Sequence, residues 1–495
     1  MSASADAPVV VIGAGPAGLT AAYDLTRRGV PTIVFDRDRQ VGGLAKTVVY
    51  KGFRVDIGGH RFFTKVSAVR DLWRELLGDD LLRRPRLSRI YYGGRFYDYP
   101  LRAGNVLANL GPLTSLAVLA SYARAQARPI APERSFEDWI CNRFGRRLFD
   151  MFFKSYTEKV WGIPCGEIGA EWAAQRIKGL SLWTAVRSML RGNGSGQIKT
   201  LVHEFDYPRL GPGMMWETCR DRIEAGGGQV RLDMPVLAIR HDGCRVTSVV
   251  AGSDGGRCVQ PASHVISTMP VRHLVRRMTP SAPPSVQDAG GRLKYRDFLT
   301  VALIVDAPSV FPDNWIYIHD PSVRVGRVQN FKNWSPDMVP DPRLTCLGLE
   351  YFCSRGDDLW AMADAALIAL ASREIAAVGL VDPVKIIDAT VLRVHKAYPV
   401  YDATYRDALA GVRRWLDRFD NLQLVGRNGM HKYNNQDHSM LTARLAVQNL
   451  FGARHDLWAV NADEEYHEEA DVRALAASQP RLPSRVRNDE RIIVS

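Results

Sequence analysis

The chain has 495 residues, of which 46% are hydrophobic and 24% charged, and its formal net charge is +12. That length exceeds what one simple core supports, so two or three domains are expected, and the composition is that of an ordinary globular enzyme. Arginines are scattered rather than run together, which argues against nucleic acid. An anionic small molecule or an arginine-rich background remains as the source of the charge.

The opening MSASADAPVVVIGAG has no basic segment followed by a cleavable apolar one, so no signal peptide is read. Next, PVVVIGAGPAGLTAAYDLTRRGVPTIVFD reads as strand, glycine turn, helix, strand. Gly13, Gly15 and Gly18 stand at GxGxxG spacing and Asp36 closes the second strand. Glycines there let a pyrophosphate approach the backbone at a helix N-terminus, and the acid is placed to grip a ribose. A dinucleotide-binding, Rossmann-type α/β unit is therefore expected.

RQVGGLAKT follows, with Arg39, Gly42, Gly43 and Thr47 in the order R-x-x-G-G-x-x-x-T. This resembles the second signature of FAD proteins of the amine oxidase and protoporphyrinogen oxidase type, and it favours FAD over NAD. The resemblance also implies flavin contacts at Arg37, Leu44, Val236 and Ser439. In VDIGGHRFFTK it sets Gly58 and Gly59 against the flavin ring and His60 beside its N5 edge. The lesser reading of His60 is a structural histidine bonding a backbone carbonyl.

From residue 65 to about 190 the chain reads mostly helical, as in SAVRDLWRELL and FEDWICNRFGRRLFDMFFKSY. The apolar NVLANLGPLTSLAVLASYARA is broken by Asn109, Gly111 and Pro112, short of a clean membrane span. It is read as a buried or groove-lining helix, with loose membrane contact as the alternative. β-rich segments follow, HVISTMP being a strand that returns to the dinucleotide sheet. FLTVALIVD, NWIYIHD, GRVQNF and CLGLEYF suggest an antiparallel sheet. The expected organisation is a discontinuous FAD-binding unit (1–75, 196–290, 385–495), an inserted helical domain (76–195) and an antiparallel sheet domain for substrate (291–384). Seven dispersed cysteines form no CxxC and no metal-like spacing, so reduced thiols, no metal and a cytoplasmic location are expected.

Near the C-terminus LQLVG reads as a buried strand and MLTARLAVQNL as a helix. Gly426, Arg427, Gly429, Tyr433, Asn435, Gln436, Asp437 and His438 form a GRxGxxxYxNQDH-like run. Together with Tyr99 and Pro100, the helix segment EWAAQR, and NWIYIHD before GRVQNF, this run resembles UDP-galactopyranose mutase of the eukaryotic type. The resemblance implies a sugar-nucleotide substrate whose diphosphate is clamped by Arg176 and Arg327. It assigns Tyr99, Trp315, Tyr317, Tyr398, Tyr401 and Asn435 to the substrate, and His60 and Tyr433 to the reacting centre. Gly426, Arg427, Gln436 and Asp437 go to FAD. It further implies redox-neutral chemistry, with reduced flavin N5 as nucleophile on the anomeric carbon and NADPH or NADH as reductant. Leu101–Asn105 departs from the Gln/Asn-rich stretch of those enzymes, so the sugar and the base stay open. Two other readings stand beside it. One is a flavin oxidase or desaturase acting on an amine, porphyrinogen or polyene, since YTEKVWGIP also resembles protoporphyrinogen oxidase-like proteins. The other is a non-catalytic FAD-binding scaffold.

Overall fold

The computed structural model describes residues 7–99, 101, 103–170, 204–253 and 256–461. Arg176 lies outside them. β1 (Val9–Ile12) is buried along its whole length and turns through the glycines into α1 (Pro16–Thr26). β2 (Thr32–Phe35) returns parallel to β1 in the register Val9↔Thr32 to Ile12↔Phe35. Three later strands complete a five-stranded parallel sheet in the order Leu422–Leu424, His264–Ser267, β1, β2, Gln229–Arg231. Short continuous apolar runs suit strands covered on both faces. Helices Pro212–Ala225 and Gln436–Leu450 both pack on α1. A Cβ on Gly18 would stand 1.8 Å from the Gly13 carbonyl oxygen, so only glycine lets α1 cross the turn this closely.

The second large sheet has seven strands. Its order is Ile386–Pro399, Tyr295–Val305, Thr345–Cys353, Arg327–Asn330, Trp315–Ile318, Ser88–Tyr92, Arg95–Asp98. All pairs are antiparallel except Trp315–Ile318 with Ser88–Tyr92, which is parallel. Two expectations are corrected here. Residues 81–98 are strands, not part of a helical stretch, because Gly93 and Gly94 take positive φ (56° and 75°) and close a tight hairpin between Tyr92 and Arg95. Residues 386–399, expected within the dinucleotide unit, run along Tyr295–Val305 instead, held by the long buried face of that strand. The strands Val236–His241 and Val246–Ser253, with Gly256–Pro261 and Met278–Thr279, form a separate four-stranded sheet. Helices Ala103–Leu110, Pro112–Ala127, Phe136–Phe144 and Ser155–Trp161 carry the helical insert. Among the described residues no helix is long and apolar enough to cross a membrane.

Candidate active site

The two glycine signatures touch each other. The Gly42 N–H donates to the Ala14 carbonyl at 2.8 Å, and a Cβ on Gly43 would lie 3.1 Å from the Gly15 Cα. No side chain caps the N-terminus of α1, whose N-cap is Gly15, so its first N–H groups are left for an anion. The Asp36 carboxylate accepts the N–H groups of Ala14 (2.6 Å) and Asp38 (2.8 Å). It therefore fixes the glycine turn itself, beyond the ribose role expected of it. Burial outweighs these bonds and raises its pKa. Arg37 is exposed beside it, and Leu44 packs against the cluster of Ile57, Phe298, Phe352 and Ala397. Val236 is buried, and its carbonyl accepts Arg277 Nε at 2.6 Å.

At the opposite end of the cradle, Gly426 takes φ +79°, and a Cβ there would meet the Ala17 side chain of α1 at 3.0 Å. Gln436, Asp437 and Ser439 form the first turn of the helix packed on α1. Gln436 Oε1 accepts Trp216 Nε1–H at 3.2 Å, and Asp437 and Ser439 are buried. Asn435 precedes that turn, its N–H donating to His438 Nδ1 at 3.3 Å. The paired glycines, the uncapped helix and the two helix starts converging on α1 fit a dinucleotide of FAD's size and charge.

Gly58–His60 bridges this cradle and the seven-stranded sheet. The His60 Nε2–H donates to the Ile57 carbonyl at 2.6 Å, the structural role weighed for it. Burial, then the positive charge of Arg427, lowers its pKa to about 4, so the ring is neutral near pH 7. A Cβ on Gly58 would lie 3.7 Å from Arg327 Nη2. On the sheet, Trp315 pairs with Gln329, Tyr317 with Arg327, and Arg327 with Glu350. Directly opposed residues share a face, so Trp315, Tyr317, Arg327, Gln329 and Glu350 form one surface turned to the glycine loop.

Glu350 is fully buried. Its Oε2 stands 2.5 Å from both Nε and Nη2 of Arg327, and Oε1 accepts the Gln329 side-chain amide. Burial disfavours the guanidinium charge, but Glu350 together with Tyr156, Tyr398 and Tyr317 outweighs it and holds the Arg327 pKa well above the ordinary value. Tyrosines ring this arginine. Tyr156 meets Tyr317 edge-on at 5.5 Å and stacks on His319 at 4.6 Å, and Tyr99 lies 4.9 Å from Tyr317. Tyr398 and Tyr433 stack at 5.7 Å, with Arg427 over both rings at 5.4 and 4.8 Å. Burial raises the pKa of Tyr156 well above 10, and that of Tyr398 also upward, so both hydroxyls stay protonated donors.

Not every expected residue lines this space. Trp315 is 3% exposed and stacks on Trp334 at 5.2 Å, so it backs the site. Tyr401 also stands behind, its hydroxyl accepting the Tyr433 N–H at 2.5 Å. Arg427, expected at the flavin, donates to the carbonyls of Asn434 (2.9 Å) and Ala397 (3.1 Å) and props the tyrosine pair. Arg176, the second half of the clamp, lies outside the described residues. Sequence reasoning missed Glu350, Gln329, Tyr156 and two further arginines. Arg61 and Arg86 each lie over the Trp315 ring at 5.4 Å, and Arg86 also over Tyr99 at 5.6 Å. Glu350 left one signal: it is the lone acid in the apolar strand TCLGLEYFC.

A family model described as "Flavin containing amine oxidoreductase" matches residues 16–419. The solved structure of a reduced UDP-galactopyranose mutase superposes with a TM-score of 0.80 over 92% of this chain and 96% of its own, at 22% identity. That identity speaks for the fold alone. A lycopene-forming phytoene desaturase of Pantoea ananas is 26% identical over 302 residues, 57% of this chain and 59% of the desaturase. An inactive all-trans-retinol 13,14-reductase of Danio rerio is 52% identical over 50 residues, 10% of this chain and 8% of the reductase. The chain thus spans less than two-thirds of either curated relative. It belongs to the flavin-containing amine oxidoreductase family, and it is an FAD-dependent enzyme.

Proposed function

We propose that the chain is a mutase-type isomerase of a nucleoside-diphosphate sugar. The observation that carries this reading is Arg327, a permanent cation set on a buried Glu350 within a ring of tyrosines beside the Gly58–His60 loop. An apolar or amine substrate gains nothing from a guanidinium there, whereas a diphosphate leaving group does.

Gly13, Gly15, Gly18, Asp36, Arg37, Gly42, Gly43, Leu44, Gly58, Gly59, Val236, Gly426, Gln436, Asp437 and Ser439 would hold FAD. When bound and reduced, it supplies a nucleophilic N5. The chain's own residues do the rest. Arg327 carries the charge that receives the diphosphate, and Glu350 keeps its planar fork from rotating. Tyr156, Tyr317, Tyr398 and Tyr433 supply hydroxyl donors without ionising. The neutral His60, tied to Ile57, keeps the Gly58–Gly59 backbone against the flavin position. Arg176 is the proposed second arginine of the clamp.

The decisive experiment incubates the reduced holoprotein anaerobically with a panel of nucleoside-diphosphate sugars and separates the products. Ring isomers formed over many turnovers, with no reductant consumed per product, are expected. Stoichiometric hydrogen peroxide or NAD(P)H use would favour oxidase or desaturase chemistry, the reading that the phytoene desaturase relative supports.

A further inference from the structure

The helix Pro112–Ala127 turns its leucines out to solvent. Leu113 is 83% exposed, Leu116 64% and Leu119 37%, and Ile130 just beyond the helix is 45% exposed. Their spacing puts the three leucines on one face. Val118, 2% exposed, is the buried residue of this helix, and exposed hydrogen bonds from the Arg147 N–H to Ser121 Oγ (3.1 Å) and from Gln126 Nε2 to the Asn142 carbonyl (2.7 Å) tie it to its neighbours. These contacts leave the leucines facing outward.

Charge along this stretch of the chain is one-sided. No Asp or Glu occurs between Asp98 and Glu133, while Arg124 and Arg128 are exposed at the end of the same helix. Soluble helices carry charge on the outward face. An apolar stripe with arginines at one end suits a lipid headgroup layer. The net charge of +12 acts in the same direction.

We propose that Pro112–Ala127 is a docking element for an anionic membrane surface, seating Leu113, Leu116 and Leu119 among acyl chains and Arg124 and Arg128 among phosphates. The element is coupled to the candidate site. Asn109 Nδ2 of the preceding helix donates to the Phe96 carbonyl at 3.1 Å, and Asn105 Oδ1 accepts the Asp98 N–H at 3.0 Å, one residue from Tyr99. Docking would thus set the Tyr99 side of the site near the bilayer. This inference does not depend on the substrate proposed above.

Flotation of the full-length flavin-loaded protein with vesicles tests it. Binding is expected with phosphatidylcholine vesicles containing phosphatidylglycerol, and much weaker binding with phosphatidylcholine alone. The combined variant Leu113→Gln, Leu116→Gln, Leu119→Gln should lose about tenfold or more in partitioning while keeping its flavin content. Arg124→Glu with Arg128→Glu should lose the preference for anionic vesicles. Failure of the wild type to float overturns the proposal, as does equal binding by the leucine variant. A concentration-dependent dimer that the leucine variant dissolves would assign the face to a second copy of the chain instead.

Discussion

Arg327 and Glu350 define the electrostatics of the candidate site at the scale of single residues. Both Nε and Nη2 of Arg327 sit 2.5 Å from one carboxylate oxygen, a geometry an ammonium cannot reproduce. Arg327→Lys is expected to lose about 1.5–3 kcal/mol of charge-assisted bonding, or roughly ten- to a hundredfold in kcat/KM on a sugar nucleotide. Flavin content should not change. Steady-state kinetics beside the flavin-to-protein absorbance ratio check both halves, and an unaltered kcat/KM would remove Arg327 from the reaction. The glycines, Asp36, His60, Arg327 and the paired tyrosines were legible in the sequence because local spacing or a family pattern marks each of them. Glu350, Gln329 and Tyr156 were not, because only cross-strand register and a distant helix bring them to Arg327. Arg427 shows what a motif leaves out: its position suggests a cofactor contact, and only the fold reveals that its guanidinium also meets two carbonyls and two rings.

At the scale of elements, the two glycine signatures act as one joint. Gly43 takes φ +53°, and a Cβ there would lie 3.1 Å from the Gly15 Cα. Gly43→Val is therefore expected to be strained by about 1–3 kcal/mol and to push the two signatures apart. The purified variant should be colourless, and a yellow variant with full flavin absorbance would refute the joint. A second junction is Asp56, which is 1% exposed. Its Oδ1 accepts the Thr47 hydroxyl at 2.7 Å, and Oδ2 accepts the Tyr207 hydroxyl. Burial raises its pKa from the ordinary 3.8 to about 7. The folded chain thus holds a proton that the unfolded chain has released, so this group's contribution falls as pH rises from 3.8 to about 7 and is level above. Asp56→Asn should flatten that slope in a series of melting temperatures against pH, and parallel curves for variant and wild type would sink the assignment. The hairpin around Gly93 and Gly94 was readable by the same local logic. It was hidden because the helical periodicity on either side suggested one continuous insert.

Across the whole molecule, the parallel sheet was legible because each strand is a short apolar run bounded by turn residues. The returning strand His264–Ser267 could be recognised from its sequence alone. The seven-stranded sheet was only half legible. Its central antiparallel strands announce themselves, but the parallel join of Ser88–Tyr92 to Trp315–Ile318 links parts of the chain that no local pattern relates. Strand order also bears on how such a chain emerges from the ribosome. β1 and β2 are adjacent, and every later strand of the parallel sheet adds to an open edge: Gln229–Arg231 beside β2, His264–Ser267 beside β1, then Leu422–Leu424 beside His264–Ser267. None has to be threaded between strands already paired, so this sheet can grow outward during synthesis. The proposed cofactor cradle cannot, because it joins Gly13 from the first turn to Gln436 at the start of the helix Gln436–Leu450. On the proposed site, flavin loading would follow translation as the closing event of assembly, with the first-made sheet already standing.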